Sequence, residues 1–179
     1  MIVSPHIKQE YIKPICEQPK HLGNPFNFPL NLDESGISAI EEMKLICDFL
    51  YFNSNSKPTL VNYTKELEKF SQWLWRIKRT PLLEITRFEA QQYIDFIQSP
   101  PYHWISRKGN HAKYINNTEN PLWRPFAARK GNDFRQTKQS NRSAISCLRV
   151  FYNHLIKTDK TNTNPFALIK SPECKVDHD

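Results

Sequence analysis

Glycine is scarce in this sequence, and long apolar runs are missing. Four glycines stand against thirteen prolines, which argues against a turn-rich β fold and favours helices joined by stiff connections. No stretch approaches the roughly 18 consecutive apolar residues that a membrane span needs. The first twenty residues also lack the apolar segment of a signal peptide. We therefore predict a cytoplasmic protein with no membrane contact.

Motifs for metal binding and catalysis are missing as well. The four cysteines form no Cys-x-x-Cys pair, which argues against a zinc module and suits a reducing cytoplasm. His103 and His111 share a predicted loop without a nearby cysteine or carboxylate, so we predict no metal site there. There is no glycine-rich phosphate loop, His-x-x-x-His pair or Gly-x-Ser-x-Gly elbow. We expect no catalytic residue, no cofactor and no small-molecule ligand.

Positive charge, in contrast, is concentrated in one third of the chain. The net charge is +7, and residues 101–160 alone carry twelve Lys/Arg against three Asp/Glu, while each flanking segment is slightly acidic. A field of one sign attracts polyanions through steering and counterion release. A solvated face that only keeps the protein soluble is the alternative. The density of charge in this segment favours a nucleic-acid partner.

The chain divides into an arm, a helical domain and a tail. Residues 1–34 hold five prolines, too many for a helix, and predict an extended N-terminal arm. Residues 35–170 predict one helical domain, and residues 171–179 predict a tail. A domain of about 150 residues buries enough surface to fold without a metal or disulfide.

Hydrophobic periodicity predicts four main helices in this domain. The first starts near Ser35, with Glu41, Glu42 and Asp48 facing water and with these residues inward: Ile37, Ile40, Leu45, Phe49 and Phe52. The second starts at Pro58 or Thr59 and places these residues inward: Leu60, Tyr63, Leu67, Phe70, Leu74 and Ile77.

The third and fourth helices are also predicted from short sequence patterns. Thr86 and Glu89 have the spacing of a capping box, which predicts that the third helix starts there. The fourth helix is predicted over residues 136–157, with these residues inward: Ala144, Leu148, Phe151 and Leu155.

An insertion of about residues 99–135 separates the third and fourth helices. Loops beyond about 12–15 residues are usually functional or flexible, and this one mixes aromatic with basic side chains. We expect Trp123 and Phe126 to pack on the domain rather than to stack on bases. The following basic residues are candidate additional contacts to nucleic acid: Arg107, Lys108, Lys113, Arg129 and Lys130.

The second and fourth helices each carry a polar stripe opposite the apolar one. Side chains three or four residues apart on a helix lie about 5–6 Å from each other, a spacing close to that of phosphates along a strand. Asn and Gln amides between them suit adenine in the major groove. The candidate DNA contacts are Asn62, Lys65, Lys69, Gln72, Arg76, Lys138, Arg142, Ser146, Arg149 and Asn153. One such stripe is usually a solvated face; two stripes together with a basic insertion favour binding.

The order of these helices resembles the N-terminal core-binding, or SAM-like, domain of tyrosine recombinases (phage-type integrases). The family has a Thr-x-x-x-Tyr-x-x-x-Leu-x-x-Phe helix, which is matched here by Thr59, Tyr63, Leu67 and Phe70. It also has a Leu-Arg-x-Phe-Tyr-x-x-Leu helix that runs into Asn-Pro, matched by Leu148, Arg149, Phe151, Tyr152, Leu155, Asn164 and Pro165. The resemblance covers roughly residues 36–170.

The resemblance implies an all-α bundle of four to five helices that forms one jaw of a clamp on duplex DNA. The second and fourth helices would approach the major groove during DNA integration and recombination, with other recombinase protomers as partners. Strand cutting would belong to a catalytic domain with a nucleophilic Tyr, towards which the tail 171–179 would lead. We expect that domain to be absent from this sequence, and so expect no enzymatic activity here. The insertion is longer than the family's link, and is either a DNA-contacting flap or a contact between protomers.

Two other functions stay open from sequence. A helical protein–protein interaction domain without DNA affinity predicts a concentration-dependent dimer. An RNA-binding helical domain predicts a preference for structured RNA over duplex DNA.

Overall fold

The computed structural model describes residues 38–107, 109–116, 118–129 and 133–172. The predicted arm, the predicted helix start near Ser35 with Ile37, most of the predicted tail, and the candidate contacts Lys108 and Lys130 lie outside the described residues. The described part is mostly helical, as predicted. None of its helices combines the length and the apolar character that crossing a membrane requires.

Four α-helices build the described domain. They are α1 (Ala39–Asn53), α2 (Lys57–Trp73), α3 (Arg87–Gln98) and α4 (Lys138–Lys157). At its end, α2 continues into a wider π-helical turn, Leu74–Lys78, which is closed by Arg79 in the left-handed region (φ 51°).

The insertion between α3 and α4 contains short strands, which an all-α class does not include. A 3₁₀ turn, Tyr102–Trp104, leads into the first of four two-residue strands: β1 (Ile105–Ser106), β2 (Tyr114–Ile115), β3 (Thr118–Glu119) and β4 (Phe126–Ala127). Strand β1 pairs in parallel with β4, and β2 pairs antiparallel with β3. The described part of the predicted loop therefore contains paired strands, and the pairing of β1 with β4 joins an early part of the insertion to a later one.

Each helix starts at a serine or threonine that caps it. The side chains of Ser38, Ser56 and Thr137 each accept a hydrogen bond from a backbone N–H three residues on. Thr86 and Glu89 form the reciprocal capping box that their spacing predicts. These hydroxyls satisfy N–H groups that have no partner inside the helix, which is why helix starts are readable from local sequence.

Helices α2 and α4 meet through their apolar stripes. The side chains of Leu60, Leu67 and Phe70 on α2 are fully buried, as are Leu148 and Phe151 on α4. Phe70 lies at the centre of an aromatic group, with ring centroids 5.0–6.3 Å from each of these neighbours: Trp73, Tyr93, Tyr152 and Phe166. The predicted inward faces of these two helices are confirmed along most of their length.

The predicted inward face of α1 is wrong in part. Ile40 and Phe52 are 50% and 65% exposed, whereas Glu42 is buried. The Glu42 carboxylate accepts hydrogen bonds from Trp75 Nε1 (2.6 Å) and from the backbone N–H of Leu82 (2.7 Å). These two distant donors make an inward carboxylate favourable and turn the helix accordingly. Burial raises the pKa of Glu42 above its ordinary value.

The wider turn at the end of α2 explains a second error. Ile77, predicted to lie inward, is 47% exposed. A π-helical turn has more residues per turn than an α-helix, so the three- and four-residue spacing no longer keeps Ile77 on the apolar face.

After α4 the chain folds back on the domain through residues 164–169, here called the exit segment. Asn164 Nδ2 donates to the carbonyl of Arg149 (3.0 Å) and to Asn153 Oδ1 (2.8 Å), and Phe166 is fully buried. The Arg149 guanidinium donates from Nε to the Phe166 carbonyl (2.9 Å) and from Nη2 to the Ile169 carbonyl. The Asn-Pro-Phe sequence is thus bound to the second half of α4.

Candidate nucleic-acid interface

The first halves of the two polar stripes lie side by side. Ser143 Oγ on α4 donates to Asn62 Oδ1 on α2 at 2.9 Å. One turn further along, Cys147 Sγ lies 3.9 Å from the carbonyl of Tyr63. The polar stripes of two helices that are far apart in sequence therefore meet at this end of the domain, in a surface that includes Asn62 and Ser143.

The insertion docks against that surface through two lysines. Lys113 Nζ is bonded to Glu68 on α2 and lies 4.9 Å from the centre of the Trp123 ring. Lys69 Nζ on α2 is 2.9 Å from Glu66 Oε1 and lies 5.5 Å from the centre of a second insertion ring, that of Phe126. Both cations combine an ion pair with a cation–π contact, so they act as pins between α2 and the insertion.

An aromatic group forms the base of the insertion. The Phe96 ring on α3 lies 5.2 Å from that of Trp104 and 5.9 Å from that of Phe126. The Phe126 ring in turn lies 5.5 Å from that of Phe134. Trp123 and Phe126 are 7% and 1% exposed, which confirms that they pack on the domain.

Between α2, the insertion and the first turns of α4 lies a cleft of about 810 Å³. We call it the basic cleft, because its lining includes six cationic side chains: Lys65, Lys69, Lys113, Arg124, Arg129 and Arg135. Among the described residues, the carboxylates that line it are Glu66 and Glu68, which face the two pinning lysines. The cleft therefore keeps an excess of positive charge after its internal ion pairs are formed.

Five cations in and beside the basic cleft have no partner within the described part of the chain. Lys65, Arg129 and Arg135 line the cleft, and their side chains are exposed. Lys138 and Arg142 are exposed on the first two turns of α4, next to the lining residues Gln139 and Ser143. These side chains can turn to a ligand without first breaking an ion pair.

The second halves of the stripes are placed differently. Gln72 is 2% exposed and accepts a hydrogen bond from Arg76 Nε at 2.5 Å. Burial lowers the pKa of Arg76 to about 10, which leaves the guanidinium charged at neutral pH. Arg149 and Asn153 hold the exit segment. From these positions Gln72 cannot reach a base edge, and the guanidinium of Arg149 is bound to backbone carbonyls.

The other predicted contacts are scattered. Ser146 is exposed one turn beyond Arg142. The Arg107 guanidinium donates to the Tyr102 hydroxyl and lies 5.3 Å from the centre of the Tyr102 ring. Neither Ser146 nor Arg107 lines the basic cleft.

Two cleft residues, Arg124 and Arg135, were not among the predicted contacts. Both lie in the basic insertion, but no helical spacing places them on a surface. Arg124 Nη1 donates to the carbonyls of Pro121 and Trp123, so it also holds the turn before β4. Arg135 has no such contact within the described residues and remains available to a ligand.

The basic cleft offers no aromatic platform in the described residues. Trp123 and Phe126 are buried, with lysine ammonium groups over their rings, and Phe134 is half-buried. Base stacking on Trp, Tyr or Phe is the usual means of holding single strands. The cleft is therefore suited to a charged backbone more than to splayed bases.

The described residues contain no group of three or more His, Cys, Asp or Glu side chains that could hold a metal ion. Comparisons with protein-family models, with curated proteins and with solved structures give no match to this chain.

Proposed function

We propose that this chain binds duplex DNA through the first halves of α2 and α4 and through the basic cleft beside them. The observation that carries the proposal is the juxtaposition of Asn62 and Ser143, which merges two polar stripes into one surface. Lys65 lines the cleft, and Lys138 and Arg142 are exposed on the first two turns of α4; none of the three has a partner within the described residues. Cations of this kind neutralise phosphates and release counterions, the main source of affinity for DNA.

The biological role that we propose is that of a core-binding, SAM-like domain in a site-specific tyrosine recombinase, which functions in DNA integration and recombination. Support comes from the matched residues of the two helices. Leu67 and Phe70 are buried in the core that α4 completes, and Asn164 returns the chain to α4. In this proposal the chain is one jaw of a clamp, other protomers are its partners, and strand cutting belongs to a separate catalytic domain.

Duplex DNA fits this surface better than an RNA or DNA single strand. Sequence-specific recognition of single strands relies on bases stacked on aromatic rings, and the rings of Trp123 and Phe126 are buried under lysines. Phosphates of a duplex need only cations and polar donors at suitable spacing. Of the predicted contacts to base edges, Asn62 lines the cleft and Ser146 is exposed on α4, whereas Gln72 is buried.

The interaction-domain alternative is less well supported. It requires that the apolar stripes of α2 and α4 partly face a partner, but Leu60, Leu67, Leu148 and Phe151 are fully buried within the domain. Among the described residues, the large apolar side chains that are more than half exposed lie on α1, α3, the insertion and the exit segment: Phe52, Phe88, Tyr102, Leu122 and Leu168. Single exposed apolar residues of this kind are ordinary on monomeric proteins.

The test is fluorescence anisotropy with a labelled duplex of about 30 base pairs, or three helical turns, measured from low to physiological salt. A single strand of the same sequence and a structured RNA serve as competitors. We expect salt-sensitive binding with a preference for the duplex. No binding at low salt would contradict the proposal, and a concentration-dependent dimer in light scattering would then favour the interaction domain.

A further inference from the structure

The insertion is hydrogen-bonded to itself where it meets the basic cleft. Ala128 is buried, and its N–H donates to the carbonyl of Ser106 at 3.0 Å, which extends the pairing of β4 with β1. The next N–H, that of Arg129, donates to the carbonyl of Asp133 at 3.3 Å. The backbone that carries Arg129 is therefore fixed, while its side chain is exposed in the cleft.

Arg135 is presented in the same way from the end of the insertion. Its neighbour Phe134 packs edge-on against Phe126, with ring centroids 5.5 Å apart. On the other side, Gln136 Nε2 donates to Asn141 Oδ1 at 2.9 Å and ties the segment to the start of α4. Both arginines thus extend from anchored backbone, and neither side chain forms a hydrogen bond or ion pair within the described part of the chain.

The position of these arginines defines a second wall of the cleft. One wall is formed by α2 and α4, with Lys65, Asn62 and Ser143 along it. The other is formed by the insertion, with Arg129 and Arg135 along it. Unpaired guanidinium groups suit phosphate oxygens, because their planar set of donors binds two oxygens at once.

We propose that the insertion is a phosphate-binding wall of the DNA site, with Arg129 and Arg135 each contacting a backbone phosphate. This inference rests on the proposed DNA-binding function and assigns the insertion to DNA rather than to a second protomer. A protomer contact would cover this face with protein and would have to supply an acceptor for each guanidinium group, because neither group has one within the described chain. The exposed carboxylate in this stretch, Asp133, does not line the cleft.

Two phosphate contacts have a defined salt signature. Each contact contributes a slope of about 0.9 to the fall of log affinity with log salt on duplex DNA. Removing both should lower the slope by about 1.8. Between about 50 and 200 mM salt, the wild-type protein should then lose roughly tenfold more affinity than the variant does.

The experiment compares Arg129→Ala/Arg135→Ala with a matched control, Lys157→Ala/Lys160→Ala. The control removes the same charge from exposed residues at the far end of α4, about 25–30 Å along the helix from its start and beyond the screening length. Thermal melts should show that both variants keep the wild-type fold, because none of the four side chains holds a described contact. Affinity for the duplex is then measured over the salt range.

We expect a lower slope for the arginine variant and an unchanged slope for the lysine control. If the wild-type protein binds duplex DNA and the two variants have equal slopes, the phosphate-binding wall is contradicted while the proposed function stands. If the wild-type protein does not bind duplex DNA at any salt concentration, the proposed function itself fails.

Discussion

The two halves of the polar stripes on α2 and α4 look alike in sequence but occupy different places in the molecule. In the first half, Lys65, Lys138 and Arg142 are exposed and unpartnered among the described residues. In the second half, Gln72 is buried, and Arg149 binds the carbonyls of the exit segment. A regular polar stripe therefore marks a helix face without telling whether a ligand or the protein itself will cover it.

The cause of the difference lies outside both helices. The first half opens on a cleft because the insertion is pinned at its edge by Lys69 and Lys113. On α4 the second half is covered because the exit segment returns along the helix and inserts Phe166 into the core. The predictions below test the assignment of each half, beginning with the largest expected effect.

Replacing the anchor of the exit segment should have the largest effect on stability. Phe166→Ala removes a fully buried ring that packs against Phe70 and Tyr152, and we expect unfolding to become easier by about 3–5 kcal/mol. Urea unfolding followed by circular dichroism measures this. Leu168→Ala, at a residue 66% exposed in the same segment, is the control and should change stability little. Equal effects of the two would mean that the exit segment does not pack as described.

Removing the guanidinium that binds the exit segment should lower the stability of the fold by less than Phe166→Ala does. Arg149→Ala deletes charge-assisted hydrogen bonds to the carbonyls of Phe166 and Ile169, so we expect a loss of about 2–3 kcal/mol. The salt slope for duplex DNA, measured where the variant is fully folded, should stay at the wild-type value. Lys157→Ala, an exposed cation on the same helix, should leave both quantities unchanged. A reduced slope for Arg149→Ala alone would return Arg149 to the DNA-binding surface.

The lysine contacts that hold the insertion against α2 should contribute an intermediate amount to the free energy of unfolding. Lys113→Ala removes a largely buried ion pair with Glu68 and a cation–π contact with Trp123, and we expect a loss of about 1–2 kcal/mol. The matched pair is Lys44–Glu41, whose side chains are about two-thirds exposed. Lys44→Ala should cost no more than about 0.5 kcal/mol, as surface pairs do. Chemical denaturation measures the stability of both variants. An equal loss of stability for Lys113→Ala and Lys44→Ala would contradict the role of Lys113 in holding the insertion against α2.

The buried carboxyl of Glu42 should give the smallest effect, visible as a pH dependence. Its pKa is raised by burial above the ordinary value of 4.5, so the folded state binds the proton more tightly than the unfolded chain does. The resulting stabilisation is present below pH 4.5 and is lost as the pH rises through the higher folded-state pKa. The stability of the wild-type protein relative to Glu42→Gln should therefore fall over that window. If the stability difference between the wild-type protein and Glu42→Gln stays constant or grows with pH, the raised pKa of Glu42 is contradicted.

Local features of the fold were predictable from sequence, and long-range ones were not. The capping box of Thr86 and Glu89 and the apolar face of α4 depend on residues within a turn or two, so spacing reveals them. The inward turn of Glu42 depends on Trp75 and Leu82, which are 33 and 40 residues away. No periodicity within α1 carries that information.

The same distinction applies to the candidate site. Lys65 and Arg142 were identifiable because helical spacing places them on one face. Arg135 was missed because its position depends on the packing of Phe134 against Phe126 and on the hydrogen bond from Gln136 to Asn141, which helical spacing does not reveal. The burial of Gln72 and the binding of Arg149 to the exit segment likewise depend on contacts between elements, which the sequence of a single helix does not reveal.

The measurement that tests the central claim most directly is the salt dependence of duplex affinity for Lys65→Ala/Arg142→Ala. Both side chains are exposed and without a described partner, so the variant should melt like the wild-type protein. We predict a slope lower by about 1.8, the value for two phosphate contacts. A folded variant whose slope equals that of the wild-type protein would contradict DNA binding by the first halves of α2 and α4.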